Sequence, residues 1–202
     1  MKTLIFGAGN LLLSDEGFGV HAIRYLSENY DFPDTVELYD GGTLGIMVTH
    51  KLEEADRVYV LDVVDTEGLP GELFRFEKDE IMLDRLPLKM SPHQIGIQEV
   101  LFLAEMRETC PEQVSIIGVI PQSLEAGCEL TPLLKEKVAE VARIVADELT
   151  AAGVDVCLKI SPSLDVPKGH KGGGEGEGPS TIKGGELIIK EICKCSDSVC
   201  RN

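Results

Sequence analysis

The chain has no tryptophan, and aromatic residues make up only 5% of its 202 positions. A core for the 43% of apolar residues must therefore come from Val, Ile and Leu, in an amount that excludes disorder throughout. Positive charge is scarce as well, with 19 Lys plus Arg against 35 Asp plus Glu and a formal net charge of −16. Such a field repels phosphate backbones and anionic membrane surfaces, so nucleic acid is not an expected partner. No run of about 18 apolar residues occurs, and the N-terminus offers one Lys and a short apolar run ending in GAGN. Neither a signal peptide nor a membrane span is expected, which makes the cytoplasm the default location. The phosphate loop G-x-x-x-x-G-K-[ST], the G-x-S-x-G elbow and the H-E-x-x-H helix are all missing. Their absence argues against nucleophilic serine chemistry and ordinary zincin chemistry.

Six cysteines are present, but a chain of this length with a normal core needs no disulfide framework. Cys110, Cys128 and Cys157 read as ordinary thiols. Cys193, Cys195 and Cys200 end the chain as C-x-C-x4-C, which matches no standard zinc spacing. Composition divides the chain near Lys159. Residues 1–158 carry 29 acidic and 12 basic side chains, whereas 159–202 carry 6 and 7 together with 8 of the 21 glycines. Glycine runs such as GHKGGGEGEGP lose too much backbone entropy on ordering to pack as a helix or central strand. The expected organisation is one domain over 1–158 followed by a Gly-rich linker and Cys-containing C-terminal extension over 159–202.

Within 1–158, short apolar runs alternate with amphipathic helical patterns, the signature of β-α units. TLIFG, VELYD, RVYVLDVV and QVSIIGVIP read as strands, and GELFRF as an antiparallel or edge strand. FGVHAIRYLSENY spaces Val20, Ile23, Leu26 and Tyr30 along a helical stripe, and GGTLGIMVTHKL reads as a turn with Thr43 capping a short helix. QIGIQEVLFLAEMR carries Ile97, Val100 or Leu101, and Ala104 on one helical face. The longest helix opens at Thr131 and Pro132, buries Leu134, Val138, Val141, Val145 and Leu149, and stops at Gly153. VDVCLK adds a last strand or trails off. The fold class is α/β: a single three-layer domain with a mostly parallel twisted sheet flanked by helices on both faces.

Ligands collect at the carboxyl ends of parallel strands, so residues that follow the strands are the ones to inspect. Glu16 follows the first strand, Asp40 closes VELYD, Asp62 closes VYVLD, and His93 precedes a helix after Pro92. Three carboxylates and an imidazole have the ligand types for a divalent transition metal such as zinc or nickel. Blander readings exist: Glu16 as an acid near a helix N-terminus, Asp40 as an Asx turn before Gly41, and His93 as a capping histidine. Asp62 is harder to place so, because an apolar strand makes an uncompensated carboxylate costly. His21, His50 and His170 read as structural or incidental. GAGN also invites a dinucleotide reading, but Leu12 stands where the third glycine of G-x-G-x-x-G belongs, and nearby acids repel a pyrophosphate.

Four blocks in order, GAGNLLLSDEGFGVHAI, DGGTLG, VYVLDVVD and SPHQIGIQEVL, resemble the NiFe-hydrogenase maturation endopeptidases over about residues 1–155. The resemblance implies an endopeptidase that removes the C-terminal peptide of the NiFe-hydrogenase large-subunit precursor after nickel insertion. It implies Glu16, Asp62 and His93 as nickel-binding residues and Asp40 as a further functional acid. Nickel would then be supplied by the substrate precursor and only weakly bound by the isolated protein. Either a carboxylate serves as general base toward water, or an acid pair such as Asp40 with Asp62 hydrolyses the bond in aspartic-type fashion. The alternative is a non-hydrolytic nickel carrier or assembly scaffold that uses the same ligands. The resemblance does not account for the 159–202 tail, whose simplest reading is a dispensable extension.

Overall fold

Thr3–Ala8 is buried along its whole length, and a strand covered on both faces belongs inside a sheet. The computed structural model describes residues 1–43, 49–82 and 92–159, with 92–98 described through their backbone only. In chain order the strands are β1 (Thr3–Ala8), β2 (Tyr30–Asp31), β3 (Val36–Gly42), β4 (Arg57–Val63), β5 (Leu73–Glu77), β6 (Gln113–Val119) and β7 (Cys157–Leu158). The helices are α1 (Phe18–Asn29), α2 (Thr49–Glu53), α3 (Lys78–Met82), α4 (Pro92–Met106) and α5 (Pro132–Ala151), with a 3-10 turn at Ser14–Gly17. The main sheet has the order β3-β1-β4-β6-β5, parallel except for β5, which runs antiparallel to β6 at one edge. The mostly parallel α/β architecture and the edge position of GELFRF are as expected from the sequence.

Alternation along the strands sorts the core into two layers. Ile5, Leu61 and Ile117 face Phe18 and Leu26 of α1 and Val141 and Leu149 of α5. Leu4, Phe6, Val60 and Ile116 face the other way, toward Leu52 of α2, Ile81 of α3 and Val100, Leu101 and Ala104 of α4. Each fully buried aliphatic side chain contributes roughly 1.5–3 kcal/mol, so the two layers dominate the stability. In α5 the predicted stripe is buried, the Thr131 side chain accepts from Leu134 N, and Gly153 ends the run at φ +82°.

One local reading needs correction. Tyr30 is not the last helical residue: α1 ends at Asn29, and Tyr30 is extended and pairs with Leu158. The β2–β7 pairing resolves VDVCLK as a strand, but one of two residues. The five residues of α3 are too few to show a helical period in the sequence. Thr43 sits in a turn after β3; of the short helix predicted to follow it, Thr49–Glu53 is described, and the cap lies at the edge of 44–48, outside the described residues. The side chain of Ile97 and nearly all of the predicted 159–202 extension, with its three cysteines, also lie outside them. Cys110 and Cys128 are free thiols. Among the described residues, no helix is long and apolar enough to cross a membrane.

Candidate active site at the carboxyl edge of the sheet

The chain leaves β1 toward β3 on one side and leaves β4 toward β5 and β6 on the other, so the connections diverge between β1 and β4. A divergence of this kind opens a crevice at the carboxyl ends of the two strands. Asp62 is the penultimate residue of β4, and Glu16 lies in the 3-10 turn that follows β1 and touches both β4 and α1. Asp62 is fully buried and Glu16 is 8% exposed. Charged carboxylates are kept away from water only where neighbours or a cation compensate them. The Asp62 Oδ1 atom accepts from Val63 N at 2.8 Å.

Glycines set how closely these elements approach. A Cβ on Gly19 would stand 2.1 Å from the Leu61 carbonyl oxygen and 2.3 Å from that of Ala8, so only glycine lets the first turn of α1 press onto the ends of β1 and β4. Gly9, at φ +144°, has the Glu16 carbonyl oxygen where a Cβ would be. The glycines of GAGNLLLSDEGFG therefore serve helix and loop packing.

The loop that carries Glu16 is fixed by its neighbour Asp15, which no sequence motif marks. Asp15 is fully buried, and its carboxylate accepts from Gln122 N and Ser123 N at 2.9 Å, Thr131 N at 2.7 Å and Thr131 Oγ1 at 3.1 Å. It thereby joins the exit of β1 to the exit of β6 and to the cap of α5.

Asp40 occupies a different setting. Gly7 of β1 is in register with both Asp40 and Leu61, so Asp40 lies two strand spacings, roughly 10 Å, from the level of Leu61. Its side chain shares the face of Val36 and Leu38, toward α1, whereas Asp62 shares the opposite face with Val60. The two acids are therefore not arranged to share a proton. Asp40 is exposed, accepts from Gly42 N at 3.2 Å and pairs with Arg24 at 3.7 Å. His93 is the second residue of α4. That helix ends shortly before β6 begins, so it runs from the carboxyl edge to the amino edge and starts on the side of the sheet that Asp62 faces. The imidazole itself lies outside the described residues, and among those described no three His, Cys, Asp or Glu groups form a metal-holding cluster. His21 lies on α1; burial, and then the nearby Arg24 charge, lower its pKa below the ordinary 6.5.

The family model for hydrogenase maturation protease matches residues 20–148. The chain belongs to the hydrogenase maturation protease family. Hydrogenase expression/formation protein HupD of Bradyrhizobium diazoefficiens is 38% identical over 162 residues, which cover 80% of this chain and 84% of that protein. The hydrogenase 2 maturation protease of Escherichia coli is 33% identical over 156 residues, 77% of this chain and 94% of its own. Among solved structures, the hydrogenase maturating endopeptidase HybD from E. coli superposes with a TM-score of 0.74 at 32% identity, covering 79% of this protease and 98% of HybD. The activity of the family is peptide-bond hydrolysis in hydrogenase maturation, and this protease has the fold that goes with it.

Proposed function

We propose that the protease removes the C-terminal peptide of the NiFe-hydrogenase large-subunit precursor once nickel is in place, and that Glu16, Asp62 and His93 recognise the metal the precursor carries. The observation that supports this reading is the pair of buried carboxylates, Glu16 and Asp62, on adjoining elements at the β1/β4 crevice. Two carboxylates and an imidazole supply oxygen and nitrogen donors but no thiolate, which leaves coordination positions for cysteines of the precursor. Nickel is then part of the substrate, and the isolated protein holds it weakly. Asp62, at the crevice, is suited to accept a proton from the attacking water. Asp40, on the other face, shapes the turn at Gly41–Gly42 through its hydrogen bond and contributes to function from the α1 side.

Mass spectrometry of the precursor's C-terminal end tests the proposal with nickel-loaded and metal-free precursor side by side. Only the loaded form should be shortened, and Asp62→Asn should lower the rate by on the order of 10²-fold or more with native circular dichroism. Equal cleavage of both forms would refute metal recognition. Cleavage of neither would refute this choice of substrate.

A further inference from the structure

Leu12, Leu69 and Leu124 are 67%, 69% and 50% exposed. They stand on the loops that leave β1, β4 and β6, which are adjacent strands of the sheet, so all three lie at the carboxyl edge. Their backbone is fastened. Gly127 N donates to the Leu12 carbonyl at 3.0 Å, Ser14 N to that of Gly127 at 2.8 Å, and Gly71 N to that of Ile120 at 2.8 Å. The loops that display these leucines are therefore already ordered, and a partner that covers them pays little further ordering entropy.

We infer that Leu12, Leu69 and Leu124 form an apolar rim that docks the folded body of the protein substrate next to the crevice that takes its scissile segment. This inference rests on the reading of Glu16 and Asp62 as the cleaving edge. Charge argues for the kind of partner. The same loops carry exposed Asp65, Glu67 and Glu125, and the chain as a whole is at −16, so a second copy of this chain is repelled. The fitting occupant is a protein surface with an apolar centre bordered by Lys and Arg, the usual anatomy of a specific interface. Exposed Phe102 on α4 provides a contrast, since it lies about 15 Å along the helix from its start at the carboxyl edge.

The test uses the full chain and nickel-loaded precursor, with direct binding and processing measured in parallel. Leu12→Ser, Leu69→Ser and Leu124→Ser combined should raise KM and Kd by at least about tenfold, leave kcat near the parent value and preserve circular dichroism. Phe102→Ser should change neither constant. Unchanged KM and Kd in the triple variant would overturn the rim and leave the peptidase reading intact. So would an equal loss in Phe102→Ser, or a dimer of the parent protein that sedimentation shows and the triple variant abolishes. If the parent binds but does not process the precursor, the peptidase reading fails, and the rim stands or falls on whether binding is lost in the triple variant. If the parent does not bind, the rim is overturned. If the triple variant does not fold, the single variant Leu124→Ser is read by the same criteria.

Discussion

Four hydrogen bonds converge on the carboxylate of Asp15, three of them from backbone amides of a loop and a helix cap more than a hundred residues away. Removing the acceptor leaves those amides without their partner, and each such loss costs about 1–3 kcal/mol. Asp15→Ala should therefore lower the unfolding free energy by roughly 3–5 kcal/mol in urea titration, with a smaller loss for Asp15→Asn, which keeps an acceptor oxygen. A loss below about 1 kcal/mol would show that the bonds are replaceable. Asp15 was not legible in the sequence because nothing local marks it: in LLLSDEGFG it is one of two acids, and its partners are distant in the chain. Asp62 was legible for the opposite reason, since an acid that closes an apolar strand announces its own burial. Glu16 could be placed at the edge by position, but its near-complete burial depends on the loop that Asp15 holds.

At the scale of elements, α1 is held by a close approach of its own backbone to two strands. Gly19→Ala would set a Cβ against two backbone carbonyls that belong to β1 and β4, and backbone cannot give way as a side-chain end can. We expect a loss of about 3 kcal/mol or more, together with reduced processing, since the helix must retreat from the crevice. Native stability by urea titration would contradict this. The same helix carries a pH response through His21. Burial and Arg24 lower its folded pKa below 6.5, while Glu129 and Asp40 act in the opposite sense and Lys135 with Arg24. Its contribution to stability is complete above the unfolded value and is lost as pH falls through the folded one. Between about pH 7.5 and 5.5, the thermal midpoint of His21→Gln should drop less than that of the parent. Equal drops would remove His21 as the cause. Elements with strong periodicity, such as β1, β4, β6 and α5, could be read from the sequence because burial on one or both faces writes itself into residue spacing. α3 and β2 could not, being a single turn and a two-residue strand whose form is decided by what they pack against or pair with.

For the molecule as a whole, β7 and Lys159 close the described unit. Lys159 N donates to the Asn29 carbonyl at 2.7 Å and Lys159 Nζ to that of Ser27 at 2.6 Å, beside the β2–β7 pair. The described members of the two-layer core all precede that point. Deletion of residues 161–202 should therefore leave a protein with native circular dichroism that processes nickel-loaded precursor at close to the full-length rate. An insoluble or inactive truncation would make the tail integral. Time enters through the bonds of Asp15, which span 107 to 116 residues of chain. With synthesis at about 5–20 residues per second, roughly 5–20 s pass between the emergence of the Glu16 loop and that of the residues that lock it. A nascent chain lacks the partners of Asp15 throughout that interval, so on the proposed reading of Glu16 competence to cleave arrives with the closing of β6 and α5. On the same reading a half-made copy does not process a precursor early.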